Sequence, residues 1–270
     1  MTIANTALSF DGTNLMTLAY NVRSMGIDES LPSRRGDNIL IPGINGQTYV
    51  SKDYEQRNIE IAMWMHTRGT ATSSSVSAAN AGTNIETLTA LFGADGTHTL
   101  TRTRGTTTLT ATVEVRNVRI EPQGPYHYNV GLSLTMADPF WYATSTTTAT
   151  TGFSSVPTNL SVTNNGTYQA ERVTITLTTA AGNGITNPKF TCGSTWVQYT
   201  GVVDNGEVLV INTGAYTATV NGVSVLGDIT HNTSYTRWLA IPRGTNNVTI
   251  SGSGMSNTPT FSVAFQAPYL

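Results

Sequence analysis

Tyr126-His127-Tyr128-Asn129-Val130-Gly131-Leu132-Ser133-Leu134-Thr135-Met136-Ala137-Asp138-Pro139-Phe140-Trp141-Tyr142 decides how this chain is read. Tyr126, Tyr128, Val130, Leu132, Leu134 and Met136 are apolar, and the residues between them are polar or small. A period of two places the apolar set on one face of a pleat, so the stretch predicts a long, half-buried β-strand. Pro139 cannot donate to a ladder and ends it, and Phe140, Trp141 and Tyr142 are too large to leave in water. Beyond Tyr142 the sequence turns to Thr, Ser and Ala. One folded unit ends there and a second begins further on.

A chain of 270 residues with 39% hydrophobic content can bury a sizeable core, and its length favours two domains. Charged residues make up 11%, against about 25% in ordinary soluble domains. Solubility then rests on Thr, Ser and Asn, which suit sheet surfaces better than helices. A net charge of -2 points to neither nucleic acid nor membrane as a partner. The single cysteine, Cys192, rules out an internal disulfide framework. No basic region followed by an apolar run opens the sequence, so no signal peptide is expected, and no run approaches 18 apolar residues. The Asn-x-Ser/Thr triplets at Asn159, Asn165, Asn232 and Asn247 match by chance in so Thr- and Asn-rich a chain.

In chain order, Leu8 and Phe10 alternate up to the turn dipeptide Asp11-Gly12, and Leu18, Tyr20 and Val22 predict a second strand. Leu31 to Asp37 reads as a loop. Pro42-Gly43 and Asn45-Gly46 mark a sharp bend and a hairpin end, and Asn58 to Met65 alternates again. Gly69 to Gly82 is almost all Thr, Ala, Ser, Gly and Asn and predicts a flexible loop. Thr83-Asn84-Ile85-Glu86 matches a capping box. A helix is expected from there, with Ile85, Leu88, Leu91 and Phe92 on one face and Gly93 in the left-handed C-terminal position. His98 to Glu121 predicts a hairpin turning at Gly105. Its return strand changes apolar phase after Val115, the mark of a β-bulge or a short break.

These residues resemble a known family. Phe10-Asp11-Gly12-Thr13-Asn14-Leu15, the Ile41-Pro42-Gly43 bend, Tyr54 to Ile61, one short helix, Gly96-Thr97-His98-Thr99-Leu100 and the exit Ala137-Asp138-Pro139-Phe140-Trp141 come in that order. In order and spacing they resemble the distal tail (Dit-like) proteins of long-tailed, siphovirus-type bacteriophages, over about the first 142 residues. The resemblance implies an N-terminal β-sandwich or barrel with a hairpin arm and one helix. It also implies that six copies close into a ring joining the tail tube to the tail-tip hub.

Residues 143–158, rich in Thr and Ser with Pro157 near the end, predict a linker. From Asn159 to Leu270 short alternating segments such as Val173-Ile175-Leu177 and Phe261-Val263-Phe265 are separated by turn signals, and no helical window appears. A β-sandwich is expected, with Val208 to Ile211 buried on both faces and a strand from Tyr235 to Ile241. The order from Asn164-Asn165-Gly166-Thr167 to Ala240-Ile241-Pro242-Arg243-Gly244 resembles the galectin-like, jelly-roll C-terminal domain of many distal tail proteins. The fold class is therefore mainly β: residues 1–142 as the ring-forming domain, 143–158 as linker, 159–270 as the galectin-like sandwich.

No catalytic centre, metal site or cofactor site is legible. His66, His98, His127 and His231 stand at no ligand spacing, and none neighbours Cys192. There is no Gly-x-Ser-x-Gly elbow or phosphate loop, and Gly182-Asn183-Gly184 lacks a third glycine and a following helix. Asp204, Glu207 and Asp228 could converge as paired carboxylates, but isolated acids on sandwich loops are far more often solvated turn residues.

Two groups of residues carry functional expectations. Arg102 and Arg104 share a parity near a hairpin turn, with Arg116 and Arg119 on the return strand. With the Pro42-Gly43 bend, Arg102 and Arg104 form the candidate ring or tube interface, presenting a basic zone to DNA or to an acidic tail partner; the bland alternative is a solvated polar face. Trp196, Tyr199, Tyr235 and Trp238 are a candidate saccharide platform, weighed against plain core packing.

The reading is a non-enzymatic structural virion protein of the tail tip, assembled in the host cytoplasm. Its implied partners are five further copies of itself, the tail tube protein, the tail-tip hub or tail-associated protein, a receptor-binding or adhesion protein and a host cell-surface saccharide. No membrane is among them. The alternative is a carbohydrate-binding adhesin of two β-sandwiches; it would have no need of the Pro42-Gly43 bend or the Ala137-to-Trp141 exit. A plain tail-tube subunit would not need the second domain.

Overall fold

Apolar alternation in the first half of the chain produces a run of antiparallel strands. The computed structural model describes all residues except 1–4, 18–19, 28–29, 40–41, 43–44, 46–52, 67–77, 125–126, 180–183, 235–236 and 255–257. Expectations on Leu18, Ile41, Gly43, Gly46, Gly69 to Ser77, Tyr126, Gly182-Asn183 and Tyr235 fall outside the described residues. Two compact units divide the chain, Met1–Trp141 with Leu270, and Tyr142–Tyr269.

The first unit contains β1 (Asn5–Phe10), β2 (Thr13–Asn14), β3 (Tyr20–Ile27), β4 (Arg57–His66), α1 (Ala78–Phe92), β5 (His98–Arg104), β6 (Thr107–Pro122) and β7 (His127–Met136). Neighbours pair antiparallel in the order β2-β1-β5-β6-β7-β4-β3. Asp11 and Gly12, both at positive φ, make the two-residue turn from β1 to β2. The long β6 changes partner along its length. Thr107 to Val113 pairs with β5, Glu114 to Pro122 pairs with β7, and the register on β7 shifts between Val115 and Asn117. The phase change in the sequence is therefore an irregularity inside a continuous strand.

The core of this unit lies on one face of β4 and β7. Ile59 pairs with Leu134, Ile61 with Leu132 and Met63 with Val130, and all six are buried. Each such side chain withdrawn from water contributes about 1.5–3 kcal/mol.

The helix corrects two expectations. Helical backbone already holds Ala78 to Gly82, which composition alone assigns to a loop. Thr83 is accordingly no cap: its hydroxyl donates to the Ala79 carbonyl inside the helix. Alanine at 78, 79 and 81 supplies the propensity. Leu88 and Phe92 are buried as expected, joined by Ala81 and Asn84, while Ile85 and Leu91 are half-buried. Gly93 is not among the residues at positive φ. It is small because a Cβ there would stand 2.6 Å from the Thr89 carbonyl oxygen.

The second unit corrects the linker. Residues 143–152 belong to β8 (Trp141–Gly152). Threonine is a good strand former, and a Thr run that borders another strand is extended ladder rather than flexible chain. β9 (Thr158–Asn164), β10 (Val173–Thr178), β11 (Ile185–Cys192), β12 (Thr195–Tyr199), β13 (Val202–Val203), β14 (Val208–Asn212), β15 (Thr217–Val220), β16 (Val223–Ser224), β17 (Ile229–His231), β18 (Gly244–Ser253) and β19 (Thr260–Tyr269) follow. One layer runs β8-β19-β10-β14-β15-β16 and the other β17-β12-β11-β18-β9, with β13 also on β11. Phe190, Phe261, Val173, Ile175, Ile211 and Ile250 pack together in one apolar core.

Two details of this unit differ from expectation. β14 is buried on one face only: Leu209 and Ile211 point inward, while Val208 and Val210 are half-exposed on the other side. Residues 237–240 are not a strand; Ile241 makes a single bridge to Ala170. Thr195 replaces the ladder there, its hydroxyl accepting from the Ala240 N–H at 3.1 Å.

Candidate functional site

The β5–β6 hairpin positions the arginine pair, with Gly105 at φ 61° in its turn. Alternation with His98 and Leu100 carries Arg102 inward, and it is 1% exposed. Its register partners are Leu8 and Leu109, and its guanidinium carbon lies 4.1 Å from the centroid of the buried Trp141 ring. The cation is stacked on an aromatic face, where desolvation strengthens the attraction. Arg102 is thus inside the unit rather than on a basic surface. Arg104, at the strand end, is exposed. Arg116 and Arg119 are exposed too, each beside an acid: Arg116 faces Glu114 at 3.4 Å, and Arg119 faces Glu121. These arginines do not combine into one basic zone. Pro42 is an exposed turn residue, and Gly43 lies outside the described residues.

A second polar centre of this unit has only its turn visible in the sequence. His98 is 6% exposed, with Nδ1 2.7 Å from Asp11 Oδ2 and Nε2 3.0 Å from the Ala94 carbonyl. Asp11 Oδ1 also accepts from the Thr99 N–H at 2.7 Å. Both ring nitrogens face acceptors, so the imidazolium can donate at both. The bond to Asp11 raises the His98 pKa against an opposing burial effect. Burial pushes the Asp11 carboxyl up, but the bonds from Thr99 and His98 outweigh it and its pKa ends below the ordinary value. Phe10 packs on both His98 and Phe92, at 4.9 and 5.1 Å between ring centroids. The cluster fastens the first turn of the chain to the end of α1. Its signal in the sequence is the Asp11-Gly12 turn alone.

In the second unit the four candidate platform residues separate. Tyr199 and Trp238 are 8% and 7% exposed and belong to the core. Trp238 is flanked by Tyr216 and His231, at 5.3 and 6.3 Å. Trp196 is half-buried, with the Lys189 ammonium 4.1 Å from its ring centroid, and Tyr235 lies outside the described residues. Burial raises the Tyr199 pKa, and the charges of Asp228, Glu207 and Asp204 raise it further. Asp204 and Glu207 share one turn, and Asp228 acts with them on Tyr199, but the contacts they make are those of turn residues. Glu207 Oε2 accepts from the Asp204 N–H at 2.8 Å, and Oε1 accepts from Asn221 at 3.3 Å. Among the described residues no three His, Cys, Asp or Glu side chains could hold one metal ion. No helix among them is long and apolar enough to cross a membrane.

No protein-family profile matches the chain. No curated protein matches it either. Among solved structures, the crystal structure of SPP1 Dit, described as a paradigm of the hub adsorption apparatus in Gram-positive infecting phages, aligns over 98% of this chain and 99% of its own, with a TM-score of 0.68 at 16% identity. The fold is that of a phage distal tail protein. Looser matches reach phage P2 baseplates in the activated conformation. The calcium form has a TM-score of 0.42 at 8% identity, over 93% of this chain and 92% of that one. The strontium form has 0.43 at 8%, over 96% and 97%. The Dit likeness runs through both units, so neither is an addition to that fold.

Proposed function

We propose that the chain is a structural component of a phage tail tip, a ring-forming adaptor between tail tube and tail-tip hub. The observation that carries this reading is the end-to-end correspondence with SPP1 Dit, both units included. In this reading six copies close through the first unit, and the second, a galectin-like sandwich, projects to carry receptor-binding or adhesion proteins. Its action is assembly, not catalysis, on a virion whose parts form in the host cytoplasm. Of the candidate interface residues, Pro42 and Arg104 are exposed, whereas Arg102 supports the hairpin from within. The adhesin alternative loses ground because two of its four aromatic rings are in the core.

Light scattering on the purified protein tests the reading. Six subunits of 28.8 kDa give a particle of about 173 kDa, as a closed cyclic assembly requires. A stable dimer across the whole concentration range would rule the six-fold ring out.

A further inference from the structure

A different surface, on the second unit, is unclaimed by the ring reading. Val223, Leu226 and Val202 are 69%, 47% and 44% exposed, unusual for large aliphatic side chains on an otherwise Thr- and Asn-covered sandwich. Hydrogen bonds knit their segments together. The Thr200 N–H and hydroxyl both reach the Asp228 carbonyl, at 2.7 and 2.6 Å, which joins the loop before Val202 to the turn after Leu226. Asn221 donates to Glu207, fastening the β15–β16 turn to the Asp204–Glu207 turn. The joined segments carry an acid beside each aliphatic residue: Val202 is two residues from Asp204, Leu226 two from Asp228, and Val223 two from Asn221, the Glu207 partner. All three acids also raise the pKa of Tyr199.

No cation balances them in sequence. Between Lys189 and Arg237 the chain has no Lys or Arg, and these three are its only acids there. β16 is also the last strand of its layer among the described residues, with only two residues of ladder. So short an edge offers little backbone pairing, and side chains must supply most of any affinity.

We propose that this apolar patch with an acidic surround is a docking surface for a basic, apolar, extended segment of another protein. Charge complementarity chooses the occupant: a second copy presenting the same face would bring like charges together, whereas Lys or Arg alternating with Val or Ile would meet both parts of the surface. The surface belongs to the second unit alone, so it stands whether or not the protein forms a ring.

The test uses the full chain and a fluorescent Lys/Val-alternating octapeptide, with its Glu/Val counterpart, read by fluorescence anisotropy. We expect the Lys/Val peptide to bind at low salt and weaken at about 0.5 M salt. We expect it to lose about tenfold or more in affinity in Val223→Thr/Leu226→Ser and in Asp204→Asn/Asp228→Asn, and nothing in Glu60→Gln, an acid of the first unit. All the substituted positions are exposed, and thermal melts of each variant check that it folds. Absence of binding, equal binding of the Glu/Val peptide, or an equal loss in Glu60→Gln overturns the proposal. A change in sedimenting mass in Val223→Thr/Leu226→Ser would assign the face to a second copy and overturn it as well.

Discussion

Arg102 stacks its guanidinium 4.1 Å from the centroid of Trp141, the residue at which the first unit ends. Both side chains are within 1% of complete burial. A buried arginine contributes through its apolar stem as well as its charge. Replacing Arg102 by Ala should lower the unfolding free energy in urea by about 2–4 kcal/mol, and Arg102→Met, which keeps the stem, by less. Unchanged stability in Arg102→Ala would return this residue to the interface group.

The Asp11–His98 pair makes stability depend on pH, with a definite sign. His98 has its pKa raised above 6.5, so its contribution is complete below that value and disappears as pH rises through the folded pKa. Asp11 has its pKa lowered below 3.8, so its contribution is present above that value and is lost as pH falls through the folded pKa. The pair is strongest in the mildly acidic window between the two. The melting temperature of the wild type should decline from about pH 6 to pH 9 more steeply than that of His98→Asn. Parallel curves for the two proteins would show that the pair does not control the slope.

A glycine inside α1 and the glycine just past its end should respond in opposite directions. A Cβ at Gly82 meets nothing within 4 Å, so Gly82→Ala should stabilise by about 0.5–1 kcal/mol. At Gly93 the same atom would lie 2.6 Å from the Thr89 carbonyl oxygen, and Gly93→Ala should destabilise by about 1–3 kcal/mol. Chemical denaturation of both variants decides; a stabilising Gly93→Ala would mean that the helix end relaxes freely.

Cys192 is buried, and burial pushes its thiol up to about 11. The thiolate is the reactive form. A thiol reagent at pH 8 should therefore label the folded protein far more slowly than the urea-unfolded chain. Rapid stoichiometric labelling of the folded protein would contradict the burial.

Much of this was legible in the chain because period-two alternation reports burial directly. Ile59, Ile61, Met63 and Met65 on one strand, and Val130, Leu132, Leu134 and Met136 on the other, face inward as their spacing demands. The departures share a cause, since local composition carries no information about which elements lie beside a segment. Thr144 to Thr150 looked like linker because a strand bordered by other strands needs few apolar residues of its own. Ala78 to Gly82 has too few apolar residues to show a helical period, although its alanines favour helix. Arg102 looked like surface because its charge outweighed its phase with Leu100, and only Trp141, 39 positions on, explains how it lies inside. The contact of His98 with Asp11 spans 87 positions and had no local signal beyond the turn.

Negative-stain imaging of the purified protein decides whether the chain closes into the proposed six-fold ring. Closure gives class averages with six-fold symmetry around an open central channel. Particles without symmetry or channel, from protein concentrated well above the micromolar range, would contradict it.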